Sequence, residues 1–174
     1  PIAQTFIVKP SNDQGFASVD RRNGAFLTSV DVYFESKDDN IPVTMELRNV
    51  VNGYPGPKVI PFGRVVKNPA DINTSSDAHA ATTFTFDSPV YVDSNVEYCI
   101  VFISNTPRHK MWICRMGETD IGGTRTVSEQ PHVGILYKSH NNTGWAISPM
   151  EDLKFVINRA EFSQPTGTVT LTNS

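Results

Sequence analysis

Residues 24–56 read GAFLTSVDVYFESKDDNIPVTMELRNVVNGYPG, and this stretch decides the fold. Phe26, Thr28, Val30, Val32 and Phe34 share one parity, and Val43, Met45 and Leu47 alternate with Thr44, Glu46 and Arg48, the period-two pattern of half-buried strands. SKDDNIP at 36–42 is a charged turn closed by a proline, and Asn52-Gly53-Tyr54-Pro55-Gly56 is a compound turn signal. The unit therefore reads as an antiparallel hairpin within a sandwich or barrel.

Working outward, the same alternation and punctuation place strands near 4–8, 26–35, 43–51, 59–66, 80–86, 96–103, 111–116, 133–138, 144–148 and 153–162. Helical periodicity is nearly absent; one short helical turn fits 148–152, where Pro149 follows a Ser cap. About ten short strands with proline-bearing turns predict an all-β chain: an antiparallel β-sandwich, jelly-roll-like. Residues 1–163 form the expected domain. Residues 164–174, QPTGTVTLTNS, form an edge strand or a link to a following segment, because so few large apolar residues order themselves only with a partner's help.

Val96 to Ile103 is apolar on both faces, with Tyr98, Ile100 and Phe102 on one side and Cys99, Val101 and Ile103 on the other, so it is expected at the centre of a sheet. Its expected partner is 111–116, which would set Cys99 roughly opposite Cys114. Either a cross-strand disulfide or two small buried side chains fits that placement.

A chain of 174 residues buries enough surface to fold as one domain without a metal or disulfide framework. A net charge of -3 with scattered Lys and Arg offers no basic stripe for nucleic acid. No run approaches a membrane span, and PIAQTFIVKP lacks the basic start and apolar run of a signal peptide. Beginning at Pro1, the sequence reads as a processed product or a piece of something longer. The two cysteines show no metal-ligand spacing, and reduced thiols suit assembly in the cytoplasm. Two acceptor tripeptides for N-glycosylation, at Asn73 and Asn141, have no meaning without secretion.

Chemistry is sparse. No nucleophile elbow occurs, and the glycine-containing loop at 117–124 lacks the Lys-Ser/Thr ending and helix of a phosphate loop. Glu118 with Asp120, and Asp71 with Asp77, are the nearest carboxylate pairs, yet all sit in polar loops. The four histidines, His79, His109, His132 and His140, share no ligand spacing, and Asp77-x-His79 is the one suggestive pair. No catalytic residue, metal or cofactor is expected. For binding, Trp145 follows an Asn-Asn-Thr-Gly turn, where an indole face beside Asn142 suits a sugar ring; Tyr54 and Trp112 are further aromatic candidates.

QTFIV at 4–8, then 24–48, 52–77, ATTFTFDSPVYVDSNVEYCIVFIS at 81–104, MWICRMGE at 111–118, QPHVGILYKSHN at 130–141 and EDLKFVINRAEF at 151–162 resemble, in order, a repeated module of large virion structural proteins of T4-like contractile-tailed phages, cyanophage type. That resemblance implies a non-enzymatic block of a baseplate or tail-fibre-associated protein, assembled in host cytoplasm and resident in the virion. Tail or baseplate subunits would be its partners, and it would be oligomeric in the particle. Expected contacts are Lys37, Asp38 and Asp39 in the charged turn, Glu118 and Asp120 in the 117–131 loop, and Thr168 and Thr170 in the C-terminal segment. QTF and NGYPG also resemble extracellular sandwich modules with carbohydrate-binding-like folds, which implies a host surface glycan as the alternative partner. No catalytic residues come with either resemblance.

Overall fold

The computed structural model describes residues 1–9, 24–119 and 134–161. Twelve strands are present among them: β1 (Ile2–Ile7), β2 (Ala25–Ser36), β3 (Val43–Val51), β4 (Tyr54–Lys67), β5 (Ala81–Val92), β6 (Glu97–Ile103), β7 (Lys110–Met111), β8 (Ile113–Arg115), β9 (Leu136–Lys138), β10 (Ala146–Ser148), β11 (Glu151–Leu153) and β12 (Phe155–Arg159). Six form a sheet in the order β10-β9-β1-β6-β3-β4, facing a sheet ordered β12-β2-β5 to which β7 adds beside β2. β8 and β11 make a separate pair. All strand pairings are antiparallel, so the chain is an all-β antiparallel sandwich. These strands establish the sandwich and leave the jelly-roll winding an expectation.

Period-two chemistry explains the core. Val43, Met45 and Leu47 of β3 and Tyr98, Ile100 and Phe102 of β6 face Val30, Val32 and Phe34 of β2 and Phe84 and Phe86 of β5. The rings of Phe84 and Phe102 meet edge to face at 5.5 Å, joining the two sheets. Gln4 is the polar exception. Wholly buried on β1, it donates from Nε2 to Asp152 Oδ1 (3.2 Å) and accepts from Leu153 N–H (2.9 Å), tying β1 to β11.

Several sequence expectations need correction. β2 and β3 are not a hairpin: β2 pairs β5, β12 and β7, while β3 pairs β4 and β6, so 37–42 carries the chain from one sheet to the other. Two strands of alternating polarity satisfy their hydrophobic faces equally well across a sandwich as along a ladder. The true hairpin is β3–β4, closed by Asn52-Gly53, whose φ values of 52° and 80° make the left-handed pair of a tight two-residue turn. Phe26 is exposed, not core, because a bulge between Leu27 and Ser29 flips the parity and turns Leu27 inward.

β6 is central as expected, but between β1 and β3. Cys99 lies opposite Thr5 and Arg48 and Cys114 lies opposite Asp152, so the two cysteines do not face each other and form no disulfide together. The 111–116 segment divides into β7 and β8, with Trp112 N–H donating to Tyr33 O between them. Residues 149–150 form a turn and 151–153 a strand, so no helix forms at 148–152; the helical turn among the described residues is a 3-10 turn at Pro69–Asp71.

Candidate functional site

The outer face of the six-stranded sheet carries the most unusual surface. Register puts Trp145, Ile147, Tyr137, Ala3, Val101, Cys99 and Arg48 on one side of it, away from the main core. Ala3, Cys99, Val101 and Tyr137 are buried there as a second cluster, with Val50, Ile103 and Trp145 packed against it. Ordinary outer faces of sandwiches are polar.

The cover is the β3–β4 hairpin itself. β3 stays in unbroken register with β6 as far as Asn49↔Tyr98, beside the start of β6 at Glu97, while β4 bulges away from β3 between Arg64 and Val59 and between Val59 and Pro55. Beyond that point the tip folds across the sheet. Tyr137 Oη donates to Gly53 O, the Tyr54 and Tyr137 rings lie 5.6 Å apart, and the Cys99 thiol donates to Arg48 O at 3.7 Å. Close approach needs a glycine at 56, where a Cβ would sit 2.4 Å from Asn49 Oδ1. Burial pushes the Cys99 thiol up to about 12 and the Tyr137 phenol above its usual value.

Two of the residues expected to bind a sugar thus share one face. Tyr54 is exposed and stacks on Tyr137; Trp145 is half-buried and packs on the same cluster. Asn142 stands in the turn that precedes Trp145, at φ 62°, and its shielded Oδ1 has no hydrogen-bond partner among the described residues. Asn141 is spent on the turn, its Oδ1 accepting from the N–H groups of Thr143 and Gly144. Trp112 is committed elsewhere, its Nε1 donating to Ser75 O. Tyr137 and Ile147 were not singled out by the sequence. Tyr137 looked like an ordinary strand residue, because its partner Gly53 lies 84 positions away.

The charged turn is largely used internally. Lys37 Nζ donates to the carbonyls of Pro69 and Ile72, and Asp38 is buried, its Oδ1 accepting from Asn40 and Ile41 N–H and its Oδ2 from Thr106 Oγ1. The Asn40 N–H, more than any other group, holds the Asp38 carboxyl below its ordinary value. Asp39 alone of the three is exposed. Glu118 is exposed and accepts from Arg115 Nη1 at 3.1 Å. Asp120, Thr168 and Thr170 lie outside the described residues.

Buried acids occur that alternation alone does not announce. Glu151 accepts from Arg115, Lys138 and Ser148, and Glu46 accepts from Arg48 Nε and Nη2 at 2.8 and 2.5 Å. Among the described residues no three His, Cys, Asp or Glu side chains gather as a metal site. His109 lines a cavity of about 270 Å³ with Phe34, Val43, Phe102 and Met111, but its ring nitrogens are engaged by Asp38 N–H and Ile41 O. Asp77 and His79 form an exposed surface pair, and Asp71 stands apart in the 3-10 turn. No helix among the described residues is long and apolar enough to cross a membrane.

Compared with known proteins, the chain matches no family model, no curated protein and no solved structure.

Proposed function

We propose that this chain is a non-enzymatic structural module of a phage tail, baseplate or tail-fibre protein, whose work is to hold neighbouring subunits. The supporting observation is the apolar outer strand β4. It ends the six-stranded sheet and exposes Tyr54, Phe62 and Val66. Phe62 is 68% exposed and held at φ 63°, a left-handed conformation that bulky residues rarely adopt. A large apolar ring displayed on a strained bulge is costly for an isolated monomer and useful at a protein contact. The described hydrogen-bonding acids and His109 serve the fold, which supports a mechanical role over a chemical one.

Light scattering of the chain alone and with tail proteins of its phage tests the reading. Phe62→Asp with Val66→Asp should abolish assembly while leaving the thermal midpoint nearly unchanged. Assembly that survives both changes, or a chain that stays monomeric with every tail partner, refutes docking through β4.

A second reading, a host-glycan-binding module, is favoured by the convergence of Tyr54 and Trp145 on one sheet face. Aromatic faces beside amides suit pyranose rings, which offer apolar C–H faces and hydroxyl edges. Titration with host surface polysaccharide should shift indole emission, and Trp145→Ala should lose that shift. An emission spectrum that does not move refutes it.

A further inference from the structure

We propose that the tip of the β3–β4 hairpin, residues 50–58, is a hinged flap over the outer face of the six-stranded sheet, latched by the Tyr137 hydroxyl and opening without unfolding of the sandwich. The hinge is visible in the register. β3 keeps β6 as a neighbour only to Asn49, beside the start of β6 at Glu97, and two bulges in β4, on either side of the Arg48↔Val59 pair, interrupt the hairpin's own ladder at its base. A segment beyond its sheet neighbour, with Val51, Asn52, Gly53 and Tyr54 exposed and only the small residues Pro55 and Gly56 buried, has little buried area of its own to hold it down.

What holds the flap shut is short and specific. Tyr137 Oη donates to Gly53 O, and the Tyr54 ring rests on the Tyr137 ring. Beneath lie Ala3, Cys99 and Val101, an apolar floor that a polar outer face does not require. Opening the flap exposes that floor next to Trp145, so one movement would turn a closed surface into an apolar cleft edged by an indole. The flap stands on the fold alone; its use as a gate for a sugar ring rests on the glycan reading above.

Cys99 reports the movement, because it is fully buried with its thiol against the carbonyls of Arg48 and Asn49 at the hinge. The experiment measures alkylation of Cys99 in the full chain by mass spectrometry, in a Cys114→Ser background, across low urea concentrations. A local flap gives a rate nearly independent of urea well below the unfolding midpoint. Tyr137→Phe, which removes one hydrogen bond and keeps the ring, should raise that rate about fivefold. Phe26→Ala, on the other sheet, should leave it unchanged.

The flap is overturned if Cys99 reacts only as fast as global unfolding allows, or if Tyr137→Phe and Phe26→Ala have the same effect. Should Tyr137→Phe fail to fold, Tyr54→Ala tests the same latch through its ring contact and should also speed labelling. Polysaccharide that alters neither indole emission nor Cys99 labelling refutes the glycan reading and leaves the flap in place, so the two failures are separable.

Discussion

At the scale of single residues, the most consequential group is Glu151. Only 5% exposed, it accepts from Lys138, Ser148 and Arg115, and its carboxyl is held at about 2, first by the Lys138 hydrogen bond and then by Ser148, against the opposing pull of burial. A carboxyl depressed in the folded state stabilises above its unfolded value of 4.5, and that contribution disappears as pH falls from 4.5 towards 2. Glu151→Gln should therefore lower stability by about 2 kcal/mol at neutral pH, with the half-exposed partners keeping the loss modest. The difference from the parent should shrink on acidification to pH 3, as read by thermal unfolding at each pH. Asp38 acts in the same direction through its backbone donors.

At the scale of elements, the β3–β4 turn shows local chemistry at work. Gly53 has φ 80°, and a Cβ placed there meets nothing within 4 Å. The cost of Gly53→Ala is then conformational, about 1 kcal/mol. Gly56→Ala is different in kind, since its Cβ would strike Asn49 Oδ1 and the Asn49 carbonyl at 2.4 and 2.9 Å. It should destabilise more than Gly53→Ala in chemical denaturation, and a Gly56→Ala chain as stable as the Gly53→Ala chain would contradict the close packing of flap on sheet. The bulge in β2 belongs to this scale as well: one extra residue relative to β12 exposes Phe26 beside Tyr91, their rings 5.3 Å apart, while Leu27 enters the core.

For the whole molecule, cohesion depends on contacts between sheets. Phe84 and Phe102 come from opposite sheets, and both are buried. Phe84→Ala should cost about 3–5 kcal/mol through lost burial and the cavity left behind. Because the sheets share that core, unfolding should remain one transition, with indole emission and far-ultraviolet dichroism changing together. Two separated transitions would show the sheets to be independent. Gln4 supports the same unity, since its amide is hydrogen-bonded to Asp152 and Leu153, which lie far away in sequence.

Alternation and turn letters were enough to determine the all-β class, the two faces of β6, and the Asn52-Gly53 turn, because each depends on sterics and polarity within a few residues. They also brought Tyr54, Asn142 and Trp145 forward as surface candidates. Tertiary structure alone decided that β2 and β3 belong to different sheets, that Cys99 and Cys114 never face each other, and that Tyr137 meets the hairpin tip. Period two states which side of a strand is apolar but not which strand lies beside it. Neighbour choice, the roofing of an outer face and the pairing of buried Glu151 with Arg115, 36 positions away, follow from long-range packing. No short window of sequence contains those partners.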